Sequence, residues 1–390
     1  MSTEKKLKKA ISIEGFVCLI VIVGFFITMG SIMGTINMFN TLMNTAFRLL
    51  LDTVFYIMAI AVLAGSISGL LSEFGVVSLV NKLLSPLMGP IYDLPGASTI
   101  GVVTTYLSDN PAILTLAEDK GFRRYFKKYQ LPALTNLGTA FGMGLIITTY
   151  MMGQRSPVGE SFIIPAIIGN IGAILGSILS TRLMLRYTSK IYGKEELCVV
   201  DDSETFDMMN YREIRDGSVG SRIMAAMLEG GSSGVQMGIA IIPGVLIICT
   251  LVLMLTNGPS EAGVYTGAAF EGVGLLPWVG QKLEFILKPL FGFQSPEAIA
   301  FPITSLGAAG AAISLVPEML KNNLIGGNEI AVFTAMGMCW SGYLSTHVAM
   351  MDGLKCRELT GRAIMSHTFG GLLAGVSAHF IYLLFRMIAG

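Results

Sequence analysis

The stretch from Pro95 to Glu118 constrains this chain more than any other. It is apolar at both ends and polar in the middle, where Ser108-Asp109-Asn110-Pro111 interrupts it. Each apolar arm is about ten residues, so as a helix it reaches roughly 15 Å, half the hydrocarbon thickness of a bilayer. Asp and Asn bond their own backbone in turns, and Pro cannot continue a helix from before it. At such a depth a break is tolerated only where protein buries it or where it lines a watery cavity. The stretch reads as a re-entrant helical hairpin with a binding site at its tip.

The pattern occurs twice, about 200 residues apart, as in the internal repeats of membrane transporters. Leu83-Leu-Ser-Pro86-Leu-Met-Gly89 matches Ile286-Leu-Lys-Pro289-Leu-Phe-Gly292. Pro95 and Ala97 match Pro296 and Ala298, and Thr104 falls opposite Thr304. Further on, Gly142 pairs with Gly342, Met151 with Met351, and Gly172 and Gly176 with Gly371 and Gly375. Repeats of this size are the usual build of a secondary transporter, with its site near the midplane between them.

The setting is a membrane. Charged residues make up 13% of the chain, against roughly 25% in soluble proteins. Several apolar runs are long enough to span. Lys+Arg and Asp+Glu balance at 26 each, so net charge points to no nucleic-acid partner. The five cysteines, Cys18, Cys198, Cys249, Cys339 and Cys356, have neither disulfide nor metal spacing and are expected to be free. Residues 12–33 follow Lys5, Lys6, Lys8 and Lys9 but are longer than a signal sequence's apolar core, so they read as a retained first span.

The expected architecture is an all-α polytopic membrane protein with seven transmembrane helices and two re-entrant hairpins. The spans are 12–33, 51–73, 129–152, 160–182, 235–256, 328–351 and 364–387. Residues 35–50 lie in the interface or extend the second span. Residues 76–90 form an amphipathic surface helix ending at Pro86 and Pro90, and 278–293 form its counterpart. The division is 1–50 as the first span and interfacial segment, 51–182 as the first repeat, 183–234 as a polar cytoplasmic loop, and 235–390 as the second, inverted repeat. With the N-terminus inside, all of the 26 Lys and Arg fall on inner segments except Arg48, Arg155, Lys282, Lys288, Lys321 and Arg386. The positive-inside rule supports that orientation throughout. The first hairpin then enters from the cytosol and the second from outside.

Asp109 is the one acid in the middle of an intramembrane segment. A carboxylate there costs roughly 3 kcal/mol on insertion scales, which marks it as a candidate ligand for Na⁺, H⁺ or substrate. A cap on the returning arm, from Asp109 or Asn110, is the structural alternative. The second tip, Gly307-Ala308-Ala309-Gly310, has no acid, and its polar groups are Thr304 and Ser305. Asn136 is costly in lipid without a partner and is flanked by Thr135 and Thr139; Ser341 and Ser345 occupy the corresponding region of the sixth span. The expected substrate-binding set is Thr104, Thr105, Ser108, Asp109, Asn110, Asn136, Thr304, Ser305, Ser341 and Ser345. The expected ion-coupling set is Asp109, Asn110, Thr135 and Thr139. His347 and His367 fall at similar depth, with Asp352 expected near them. They read as a pH gate or as histidines satisfied by carbonyls. Gly65/Gly69, Gly138/Gly142, Gly172/Gly176 and Gly371/Gly375 have the spacing that lets spans pack closely. No metal motif or cofactor fingerprint is present, and Na⁺ is the one ion expected.

Two segments resemble a known family. Asp52 to Pro90, with Leu79-Val-Asn-Lys-Leu-Leu-Ser-Pro-Leu87, looks like the transporter gate, or nucleoside-recognition, domain. Glu229-Gly230, Gly234, Gly238 and Ala240, followed by Leu246-Ile-Ile, is similar to the start of a span in concentrative nucleoside transporters. Related gate segments occur in spore-maturation membrane proteins. The resemblance implies an inverted-repeat fold in which the first tip and the sixth-span region hold solute and Na⁺, here Thr104, Thr105, Ser108, Asp109 and Asn110. The sequence departs from the family in lacking Gln-Thr-Glu at the first tip and Asn and Glu in Trp340–Ser345. The expected function is Na⁺- or H⁺-coupled transport of a small polar, nucleoside-like solute by alternating access. The alternative is a non-transporting membrane partner. The expected partners are solute, bilayer and a second copy of the chain; the expected place is the inner membrane.

Overall fold

A computed structural model describes residues 9–199, 207–260 and 262–389. The lysines at 5, 6 and 8 and the acidic run Asp201-Asp202-Ser203-Glu204 lie outside them. The protein is an all-α polytopic membrane protein; an isolated bridge between Lys127 and Leu197 is the one β contact among the described residues. Five helices are long and apolar enough to cross a bilayer. They are α1 (Ile13–Met33), α2 (Thr35–Glu73), α8 (Ile163–Tyr192), α9 (Val219–Thr256) and α17 (Thr360–Ala389).

The two other expected spans are not continuous helices. Residues 129–152 form α6 (Ala133–Thr139) and α7 (Gly144–Met152), broken at Met143 with φ +54°. Residues 328–351 form α15 (Gly327–Cys339) and α16 (Tyr343–Gly353), broken at Gly342 with φ +61°. The breaks thus set Met143, rather than Gly142, opposite Gly342. A left-handed residue cannot continue a right-handed helix, so each break interrupts the helical ladder and leaves carbonyls on one side and amides on the other to find partners elsewhere.

Both hairpins form where expected. The first is α4 (Ser98–Leu107) and α5 (Pro111–Glu118). The second is α12 (Ala300–Gly307) returning as α13 (Ala309–Ser314) and α14 (Val316–Lys321). Surface helices precede them: α3 (Val76–Tyr92) and the pair α10 (Leu275–Lys282) and α11 (Glu284–Phe291). α3 does not end at Pro86 and Pro90. Each proline removes one amide, but the neighbouring turns hold, and Arg182 takes the end carbonyls of Pro90 and Ile91 at 2.5 and 2.6 Å.

The repeat is visible in backbone details. α3 and α11 both stop at a left-handed residue, Asp93 and Gly292. Each broken span begins with a side chain that reaches three residues back: Gln130 accepts from the Lys127 amide at 3.1 Å, and Glu329 from the Gly326 amide at 3.0 Å. These pairs recur at one spacing along the chain.

Residues 35–50 take the second of their two expected forms, and the polar loop differs in extent. Residues 35–50 continue into the second span, and a stripe of Asn37, Thr41, Asn44 and Thr45 along them binds the loop at 265–271. The polar loop expected over 183–234 is shorter, since α8 runs on to Tyr192 and α9 begins at Val219. The reason lies in α9's glycines. Gly230 and Gly234 lie against the backbone of Gly65 and Ala61, where a Cβ would collide with a carbonyl oxygen. The segment Glu229–Gly234 is therefore a packing face of a helix. Gly172 and Gly176 pack likewise on Ala374 and Gly370 of α17.

Candidate functional site

Four chain breaks converge: the two hairpin tips and the two breaks in the broken spans. The Asn110 amide nitrogen, at the first tip, donates to the Ser341 carbonyl at 2.6 Å, at the second break. Asn110 also lies against Gly142, at the first break, where a Cβ would overlap its side-chain amide. The second tip closes on the second break, with the Gly342 amide donating to the Ser305 carbonyl at 3.0 Å. Gly138 and Gly142 thus make room for the hairpin, through Ile113 and Asn110, rather than for a neighbouring span.

A second group of residues lies beside the second break. The His367 Nε2 is 2.5 Å from the carbonyl of Cys339, which the break leaves without its helical partner. A carbonyl only accepts, so Nε2 carries the proton and a neutral ring accepts at Nδ1. The Ser180 hydroxyl sits there at 2.8 Å and receives the Asn136 amide nitrogen at 2.9 Å. Asn136 also donates to the Ala363 carbonyl at 3.1 Å. The chain Asn136–Ser180–His367–Cys339 is fully oriented, each donor meeting an acceptor. His347 stands beside it, its ring centroid 4.7 Å from that of His367, and Tyr343 packs on both rings and on Trp340.

Five polar side-chain atoms here are buried without a hydrogen-bond partner among the described residues. They are Asn110 Oδ1, Asn136 Oδ1, Trp340 Nε1 and both nitrogens of His347. Buried polar atoms are nearly always paired, so such a concentration marks a place with unspent hydrogen-bonding capacity. α16 also begins here, whereas α5 begins at Pro111, which has no amide, and its next two amides, of Ala112 and Ile113, donate to the carbonyls of Asp109 and Asn110 at 3.1 and 3.3 Å.

The expected residues divide. Asn110 and Ser341 meet directly, and Asn136 joins through Ser180 and His367. Asp109 is half-buried and accepts from the Asn110 amide at 2.7 Å. It is not the N-cap of α5; Asn110 holds that position and makes no side-chain cap bond. Several hydroxyls are spent on their own helices: Thr105 on Gly101, Ser108 on Thr104, Thr304 on Ala300, Ser305 on Pro302 and Ser345 on Gly342. Thr135 and Thr139 face the thioethers of Met351 and Met350 at 3.5 and 3.9 Å. His347 and His367 meet, but Asp352 is not with them; it is exposed and pairs with Arg357 at 3.9 Å. A carboxylate at the end of α16 finds solvent and a guanidinium sooner than an apolar interior.

Ser180 and Tyr343 were not singled out from sequence. The signal was present for Ser180, since Ser177, Ser180 and Thr181 put three hydroxyls on one face of an apolar span. All three are buried, and Ser177 meets the Tyr92 hydroxyl at 2.7 Å.

No family model and no curated protein matches this chain. Solved structures of CNTnw, a concentrative nucleoside transporter, do match its fold. A double variant in an outward-facing state superposes with a TM-score of 0.53 at 16% identity, over 83% of this chain and 74% of that one. A second outward-facing double variant gives 0.52 at 15%, over 97% and 85%. The inward-facing, substrate-bound state gives 0.51 at 14%, over 85% and 75%. The chain has the fold of a concentrative nucleoside transporter. The likeness extends well beyond the two segments that carried the sequence resemblance; it concerns the transporter, and none of these matches is a gate-domain or spore-maturation protein.

Proposed function

We infer that the protein is a secondary active transporter of a small polar solute, working by alternating access, with its site where the two tips meet the two breaks. The observation that carries this reading is the contact of Asn110 with Ser341 and Gly142, surrounded by buried polar atoms with unused hydrogen-bonding capacity. Broken helices at the midplane bring amide and carbonyl ends to a solute without a net charge being buried in lipid. The solved structures of similar fold include outward-facing and inward-facing states of a transporter, which supports a reading in which the hairpins move.

The site groups fit a neutral, hydrogen-bonding solute: amides at Asn110 and Asn136, indole at Trp340, imidazole at His347. Asp109 is the candidate for coupling to Na⁺ or H⁺. Thr135 and Thr139 are weaker candidates, because thioethers rather than oxygens surround their hydroxyls. Two repeats, an N-terminus in the cytoplasm and a place in the inner membrane complete the reading, on the strength of the loop charges.

The experiment is uptake into proteoliposomes under an imposed Na⁺ or H⁺ gradient, with nucleosides, nucleobases, amino acids and simple amines as solutes. Concentrative uptake of one class, lost in Asn110→Ala with the protein still folded, is the expected result. No gradient-driven uptake of any class defeats the reading.

A further inference from the structure

A separate polar cavity of about 710 Å³ opens at the far end of the fold from the basic loop around Lys127. Its wall is built by the 156–160 turn, the end of α11, the start of α15 and the last turns of α17. The hydrogen bonds around it fix their own polarity. The Asn328 amide nitrogen donates to the carbonyls of Phe291 and Gly292 at 2.9 and 3.1 Å, so its oxygen faces the Nδ1 of His379 at 2.7 Å. Nδ1 must then carry the proton, and a neutral ring presents a lone pair at Nε2. Nε2 makes no hydrogen bond among the described residues, and His379 is 6% exposed.

Glu160 lines the same cavity and accepts from the Tyr382 hydroxyl at 3.0 Å and the Gly327 amide at 3.1 Å. Each carboxylate oxygen has a further lone pair free. Arg386 lines it too, exposed, with no ion pair among the described residues. Acceptors on one part of a wall and a guanidinium on another call for a ligand that carries both an ammonium and a carboxylate. No three His, Cys, Asp or Glu side chains converge among the described residues, which speaks against a divalent metal.

We propose that this cavity is a second binding site, distinct from the tips, for a small amino-acid-type zwitterion held between Glu160 with His379 and Arg386. It touches both roots of the second hairpin, Gly292 and Gln294 before it and Asn323 and Gly326 after it, so a bound zwitterion ties the two together. The proposal does not depend on transport.

The test is calorimetric titration of the purified full chain with glycine, β-alanine and γ-aminobutyrate, and with methylammonium and acetate as half-ligands. At least one zwitterion should saturate and neither half-ligand should. Arg386→Gln and Val158→Trp, both at exposed positions on the rim, should weaken that zwitterion by about tenfold or more, or about 1.4 kcal/mol. Absence of saturation by all three zwitterions in the wild type overturns the proposal. So does an unchanged affinity in both variants, which would put the zwitterion elsewhere.

Discussion

Asn110 Nδ2 and the Ser341 carbonyl lie 2.6 Å apart, joining the first hairpin's tip to the second repeat's broken span. Asn110 is 1% exposed, so losing its amide leaves a buried carbonyl unpaired. Asn110→Ala should cost about 1–3 kcal/mol, read as a shift in unfolding in detergent. Gly142→Ala should push the same amide away, since the new Cβ would occupy its place. Once Asn110 is shortened that clash is gone, so the double variant should be more stable than the two single losses predict, by about 0.5–3 kcal/mol. Strictly additive losses would show that the tip does not rest on the break.

Glu271 gives a pH dependence outside the membrane. Burial pushes its carboxyl up, but the hydroxyl and amide of Thr266, the Gly267 amide and the Thr41 hydroxyl outweigh it and hold the carboxyl below its usual range. A depressed carboxyl stabilises the fold above its unfolded pKa of about 4.3, and that contribution is lost as pH falls through the folded value. Glu271→Gln should therefore unfold earlier than wild type at neutral pH, and the gap should narrow below about pH 4. A gap that is constant from neutral to acid pH would remove the charge from this account.

Much of this fold is legible in the sequence because the bilayer leaves few options. Apolar run length located α1, α8 and α17, and Ser-Asp-Asn-Pro located the first tip. The breaks at Met143 and Gly342 were not legible. Met143 itself carries no helix-breaking signal, the glycines on either side of it read equally well as packing residues, and Gly144–Met152 is apolar enough to pass for part of an uninterrupted span. Only tertiary packing forces a methionine into a left-handed conformation. The site was half legible for a similar reason. Asn110 and Asn136 stand out as amides in apolar surroundings, whereas Thr105, Thr304 and Ser305 have hydroxyls that their own helices satisfy, and sequence does not separate these cases. The carbonyl of Cys339 became a site group through the break alone.

The two histidines should part company. His367 holds the Cys339 carbonyl and the Ser180 hydroxyl, so His367→Leu should cost about 1–3 kcal/mol in unfolding measurements. His347 makes no hydrogen bond to another helix among the described residues, so His347→Leu should leave stability close to wild type. A flattened pH profile of uptake between about pH 5 and 8 in the folded His347→Leu protein would then report titration of His347 itself. An unchanged profile would assign both rings to packing.

Sidedness tests the inverted repeat. Lys120 and Val264 are both exposed, and they lie at opposite ends of the fold by the charge count. Phe126, in the same basic loop, is fully buried against Phe122 and is unsuitable for labelling. Cysteines at Lys120 and Val264 should react with an impermeant reagent from the cytosol and from outside respectively. Labelling of both from one side would defeat the inversion.

Asp109 decides how transport is coupled. Its carboxylate makes one hydrogen bond among the described residues, accepting the Asn110 amide, and no cation pairs with it there. An amide oxygen can accept that bond equally well, so Asp109→Asn keeps the local turn and removes only the charge. If the carboxylate binds Na⁺ or carries H⁺, the Asn variant should fold normally, bind solute with no response to the ion, and lose uptake against a gradient. Asp109→Ala removes the acceptor as well and should cost about 1 kcal/mol more in unfolding. The comparison is solute stabilisation of wild type, Asn and Ala proteins, each with and without Na⁺ and at two pH values. Retention of full ion-dependent binding by the folded Asn variant would make Asp109 a turn residue. Coupling would then be sought at His347, the one other titratable group of the site with unused nitrogen atoms among the described residues.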